Sequence, residues 1–372
     1  MSEAEVLFEK RGRIGLITLN RPKALNALTL GMVDLMHAQL DLWAVDPTIE
    51  AVVAIGSGER AFCAGGDIRA LYESGKAHTP YAIDFYGREY QLNTRIKRYA
   101  KPYVAILNGI TMGGGVGISV HGQFVVACPQ TVFAMPETGI GLFPDVGGTY
   151  FLPRMPGELG LYLALTGARL KGSDLVHAAL ATHYTEGARL AALVDALAYD
   201  ERAPAAVLEA FADRPEPSSL EGVKGQIDQL FAGASIEAIL GALDGEGSDF
   251  ARDARRTILT KSPTSTKVAF RQLRSGATLS FEDCMRLEFR LTHRFMTGHD
   301  FYEGVRAVII EKDQAPKWFP AALDAVSDAA VDAYFQPLPG GELPLPRCEW
   351  ARGGSSTARA HPAGELVPPA RQ

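Results

Sequence analysis

Apolar and polar positions alternate along EVLFEK and RIGLITL, which predicts two short strands, and the breaker NRPKALNAL follows them. Thr29 has N-cap chemistry, and from it Val33, Met36, Leu40 and Trp43 recur at helical spacing until Asp46-Pro47 stops the run. AVVAIGS and YVAILNG are continuous apolar strands, so both faces of the sheet they build must be covered. Strands alternating with helices predict an α/β fold with a mostly parallel sheet. Between those two strands, TPYAIDFYGREYQLNTRIKRYAKP reads as an amphipathic helix ended at Lys101-Pro102; on spacing alone its Glu89 falls on the solvated face. Beyond Phe151 the pattern is mainly helical to about Phe335, with a helix start at Ser262-Pro263 and capping-box spacing at Asp300 and Glu303. The chain therefore divides into an α/β core over 1–200, a helical region over 201–335 and a Pro/Gly-rich tail over 336–372. That tail is expected to be irregular, with Trp350 as its one anchoring side chain.

The chemistry concentrates between Asn108 and Tyr150. YVAILNG runs into four glycines, Gly113, Gly114, Gly115 and Gly117; a further strand follows, and then a Gly/Pro-punctuated loop carries Glu137 and Asp145. A strand that ends in glycines and turns into a helix leaves the helix's first N–H groups unpaired, and no Cβ keeps a carbonyl oxygen from approaching Gly114. The chemistry this suggests is stabilisation of an oxyanion or enolate. An isolated glycine run can equally serve only to pack a helix on a sheet, so a second site has to decide. GERAFCAGGDIRALYES supplies one: Gly66 lies between a strand end and a helix, positioned to offer the second donor, while Asp67 has the chemistry of a structural N-cap.

Composition narrows the partners. A net charge of −6 over 372 residues, without a basic stripe, gives no footprint for nucleic acid, and no apolar run is long enough to span a bilayer. Cys63, Cys128, Cys284 and Cys348 are scattered without metal-ligand or disulfide spacing. Together with an N-terminus lacking signal or transit character, they lead to the expectation of a cytoplasmic protein with free thiols and no metal. GxSxG and GxxxxGK[ST] motifs are absent, and GGGVG misses the GxGxxG spacing. His121 and Cys63 have no recognisable catalytic partner in the sequence and read as core residues.

LNRPKALNAL, AFCAGGDIRAL, NGITMGGGVGISV and PETGIGLFPDVGGTYFLPR resemble the enoyl-CoA hydratase/isomerase (crotonase) superfamily over roughly residues 5–335. The resemblance implies a spiral of ββα units with a C-terminal helical region, and an oxyanion hole made by the N–H groups of Gly66 and Gly114. Hydratases of the superfamily use two glutamates. Here the first position is Gly117, the second is Glu137, and Asp145 stands where hydratases typically have glycine. That pattern resembles the 3-hydroxyisobutyryl-CoA hydrolase branch, the thioesterases of valine degradation. It implies Glu137 as base or nucleophile, Asp145 as supporting acid/base, and Glu89 as a pocket residue for the acyl hydroxyl. No cofactor is implied beyond the coenzyme A carried by the substrate; the superfamily often forms trimers, which leaves a homo-oligomer open, and no interface can be read from the sequence. Enoyl-CoA hydration or isomerisation, and acyl-CoA binding without catalysis, remain the alternatives.

Overall fold

The computed structural model describes residues 4–346, so Trp350, Cys348 and most of the expected tail lie outside the described residues. Two sheets form the frame. The larger has the order β1 (Val6–Arg11), β2 (Ile14–Leu19), β3 (Ala51–Gly56), β5 (Tyr103–Leu107), β7 (Phe124–Ala127), β10 (His183–Tyr184), parallel except for the β1–β2 hairpin. The smaller runs β4 (Ala61–Cys63), β6 (Ile110–Met112), β8 (Val132–Ala134), β9 (Leu170–Lys171), with only β9 antiparallel. The pairs β3/β4, β5/β6 and β7/β8 each give one strand to the large sheet and the next to the small one before a helical segment. This is the ββα spiral.

Alternation along the central strands explains why they read as unbroken apolar runs. Ala51, Val53, Val104, Ile106 and Val126 face the helices Leu190–Tyr199 and Pro204–Phe211, whereas Val52, Ala54, Ala105 and Leu107 belong to the main core. On that second side lie α1 (Leu30–Val45), capped by Thr29 Oγ1 on Met32 N–H, and α3 (Tyr81–Lys97). Between them in sequence, α2 (Ile68–Lys76) starts at Asp67, whose carboxylate caps Ala70 N–H and pairs with Arg21. Asp67 is structural.

Two expectations need correction. The helix that the glycines open, α4 (Gly114–Gly117), is only a single turn, and the strand that runs into it is β6, paired in the small sheet, rather than β5. A macrodipole argument therefore carries little weight there, and the case rests on the N–H groups themselves. Asp300 and Glu303 make no capping box. Asp300 is instead buried, accepting from Ser262 Oγ (2.6 Å) and Phe319 N–H (2.8 Å), and Glu303 pairs with Arg306. Ser262 does start a helix, Pro263–Gly276, by accepting from Ser265 N–H. Among the described residues no helix is long and apolar enough to cross a membrane.

Candidate active site

The two glycine turns meet. Leu28 pairs with Gly66 in a parallel bridge made by Leu28 N–H to Gly65 O and Asp67 N–H to Leu28 O, both 2.8 Å. In such a bridge the flanked residue's own N–H points the other way. Among the described residues neither Gly66 N–H nor Gly114 N–H has a backbone acceptor. A Cβ built on Gly114 would lie 3.3 Å from Gly66 N, and one on Gly113 would lie 3.3 Å from Gly65 Cα. Gly65 (φ +116) and Gly113 (φ +47) hold positive φ values that let the two turns approach this closely.

A cavity of about 100 Å³ opens at that junction, lined by Gly66, Glu89, Gly114, Glu137 and Asp145 together with Tyr86 and apolar side chains. All five residues singled out from the sequence are brought together. The volume is far below the ~300–1,000 Å³ of pockets for larger ligands, so it suits a short acyl group. Glu89 is 2% exposed and abuts the Gly114 backbone, which overturns the solvated position that helical spacing gave it. Its Oε1 and Glu137 Oε2 are buried without a hydrogen-bond partner. Burial, then the nearby Asp145 and Glu288 carboxylates, hold the Glu89 pKa well above the ordinary value. Burial, then Asp145, does the same to Glu137. Asp145 is also raised by burial, but only to about 7, because the Tyr90 hydroxyl donates to its Oδ2 at 2.9 Å.

The loop that carries Asp145 is held from three directions. Glu288, fully buried on the helix Phe281–Phe295, accepts from Gly147 N–H (2.8 Å) and Thr149 N–H (2.9 Å). Gln272 Nε2 donates to Pro144 O and Thr149 Oγ1, both at 2.7 Å. His121 Nε2 lies 2.7 Å from Val146 O; a carbonyl can only accept, so that nitrogen carries the hydrogen. His121 is thus a core histidine with a partner, its pKa lowered by burial to about 3. These anchors flank Val146, a β-branched residue at φ +50 and hence a strained one. Cys63 is buried, its thiol pushed up to about 12 by burial, and serves as apolar filling.

Sequence reasoning missed Tyr86, Tyr90, Asn93 and Glu288. The first three share a signal that was present: with Glu89 they stand at i, i+3, i+4 and i+7 on α3, and a helical face with that spacing is polar while facing the core. Glu288 had no local signal at all.

With this geometry in view, residues 14–335 match the family model described as Enoyl-CoA hydratase/isomerase. Among curated relatives, 3-hydroxyisobutyryl-CoA hydrolase, mitochondrial, of Xenopus tropicalis is 50% identical over 93% of this chain and 92% of its own. The Homo sapiens protein of the same name is 48% identical over 91% of this chain and 90% of its own. Among solved structures, a carnitinyl-CoA dehydratase from Mycobacterium thermoresistibile superposes with a TM-score of 0.87 at 43% identity, covering 91% of this chain and 98% of that one. An enoyl-CoA hydratase from Rhodobacter sphaeroides gives 0.86 at 38% identity, over 92% and 100%. The expectation of a cytoplasmic protein is overturned by these relatives, which are named as mitochondrial. That expectation rests on what the first residues lack and on scattered cysteines, and neither identifies a compartment.

Proposed function

The chain belongs to the enoyl-CoA hydratase/isomerase family, and from that premise we propose that it is a thioesterase that cleaves 3-hydroxyisobutyryl-CoA to 3-hydroxyisobutyrate and coenzyme A. The observation that carries the choice of hydrolysis within the family is the presence of Asp145 and Glu137 around one small cavity, with glycine at position 117.

In this reading Gly66 N–H and Gly114 N–H receive the thioester oxygen as it gains charge, in a site where burial strengthens their effect. The carboxylates divide the proton traffic. Burial raises Asp145 to about 7 and Glu137 well above its ordinary value, and the reaction starts with the proton on Glu137 and Asp145 ionised. Asp145 as carboxylate takes up that proton, which frees Glu137 either to activate water against the carbonyl carbon or to attack it and form an anhydride that water then hydrolyses. On either route the C–S bond breaks and Asp145 returns the proton to the departing thiolate. Glu89 faces the acyl group.

The hydratase names among the structural relatives raise a second reading, and the surroundings of Gly117 oppose it. A Cβ there would lie 2.7 Å from Val146 Cβ, 2.8 Å from Asn93 Nδ2 and 2.9 Å from Asn93 Oδ1. The space that a first hydratase glutamate needs is already filled. Release of free thiol separates the readings directly: CoA should be released rapidly from 3-hydroxyisobutyryl-CoA, and Glu137→Gln and Asp145→Asn should each slow it by roughly 10²–10⁴. Hydration of crotonyl-CoA far faster than any CoA release would reject the proposal.

A further inference from the structure

Four side chains of α3, Tyr86, Glu89, Tyr90 and Asn93, form a buried polar face, and the hydroxyl of one of them has no use in the mechanism above. Tyr90 is occupied by Asp145 and Thr292. Tyr86 is not. It is 2% exposed and lines the cavity, yet its Oη is buried without a hydrogen-bond partner. Its ring is fixed between neighbours, at 5.7 Å from Phe85 and 5.9 Å from Tyr90, centroid to centroid. The carboxylates of Glu89, Glu137 and Asp145 line the same cavity.

A phenol among three carboxylates would donate to one of them if an oxygen were within reach. It donates to none of them, and an unpaired buried hydroxyl is costly unless a ligand completes it. The cavity therefore offers, one helical turn apart, a donor at Tyr86 Oη and an acceptor at Glu89 Oε1, both unpaired. A hydroxyl is itself one donor and an acceptor, so it satisfies both at once, whereas a plain alkyl group satisfies neither.

We propose that Tyr86 is a specificity-determining residue, donating its phenolic hydrogen to the hydroxyl of the acyl group while Glu89 accepts that hydroxyl's own hydrogen. This rests on the thioesterase reading for its substrate and adds the residue that distinguishes a hydroxyacyl-CoA from its deoxy analogue. Burial, then Asp145, hold the phenol's pKa well above 10, so the hydrogen stays in place at neutral pH.

The test measures binding and turnover separately, so that the two proposals fail separately. Non-hydrolysable thioether analogues of 3-hydroxyisobutyryl-CoA and isobutyryl-CoA are titrated by calorimetry into the native protein and into Tyr86→Phe. The native protein should bind the hydroxylated analogue roughly tenfold more tightly than the deoxy one, and Tyr86→Phe should lose most of that preference, keeping only the part that Glu89 supplies. Unchanged affinity of the variant for the deoxy analogue shows that the cavity is intact. A preference for the hydroxylated analogue that is undiminished in Tyr86→Phe, an equal loss for both analogues, or no preference in the native protein overturns the assignment. CoA release from the hydrolysable substrates, measured alongside, tests the thioesterase reading alone.

Discussion

The Tyr90 hydroxyl lies 2.9 Å from Asp145 Oδ2 and 2.8 Å from Thr292 Oγ1, so a single phenol joins the carboxylate loop to the C-terminal helix Phe281–Phe295. It is also the one side-chain hydrogen bond that pulls the Asp145 pKa down against burial. Removing it should be visible in the pH dependence of turnover. In Tyr90→Phe the acid limb of the CoA-release profile should move up from near pH 7 by about one to two units, since a hydrogen bond to a charged group contributes roughly 1.5–3 kcal/mol and each unit corresponds to about 1.4 kcal/mol. An unmoved limb would mean that Asp145 does not set it.

The buried carboxylates also fix how stability depends on pH. Asp145 is raised from 3.8 to about 7 and Glu288 from 4.5 to about 8, mainly by burial. Between those ordinary values and the raised ones the folded protein holds protons that the unfolded chain has lost. Their contribution is complete below pH 4 and disappears as pH rises through 7 to 8. Thermal melts should therefore show Tm falling from pH 5 to pH 8.5. Asp145→Asn, which cannot ionise, should flatten that slope and be more stable than the native protein at pH 8, the opposite of its effect on turnover.

Gly114 has no room for a side chain. A Cβ there would collide with Glu89 Oε1 and come within 3.1 Å of Leu28 Cδ1, beside the two free N–H groups. Gly114→Ala should lower kcat by ~10²–10³, the usual cost of losing one oxyanion donor, with a native circular-dichroism spectrum. Near-normal kcat in a folded variant would remove Gly114 from the oxyanion hole.

Glu288 carries a different load. It accepts two N–H groups of the loop that holds Asp145, and a glutamine offers one acceptor oxygen and an NH₂ that faces an N–H. Glu288→Gln should lose about 1–3 kcal/mol in urea unfolding and lower kcat more than it changes KM, because the loop that aims Asp145 loosens. Full stability of this variant would show that Gln272 and His121 hold the loop without it.

How the molecule divides between local and distant information is clear from particular residues. β3 and β5 were legible because a strand covered on both faces must be apolar at every position, and α1 because Thr29 caps a period that Trp43 completes. The glycine turns and the order of Glu137 and Asp145 were legible too, since unpaired N–H groups and loop carboxylates leave their mark in consecutive residues. β6, only three residues long, was not, for its pairing partners lie in other turns of the spiral. Glu89 shows the limit most directly: helical spacing gives a polar residue to the solvent, and only the packing of α3 against Gly114 turns that face inward. Tyr86 and Asn93 follow it for the same reason. Glu288, more than a hundred residues beyond the loop it holds, takes its role from a contact between distant segments, and such contacts are settled by how the whole core closes rather than by any neighbour in the chain.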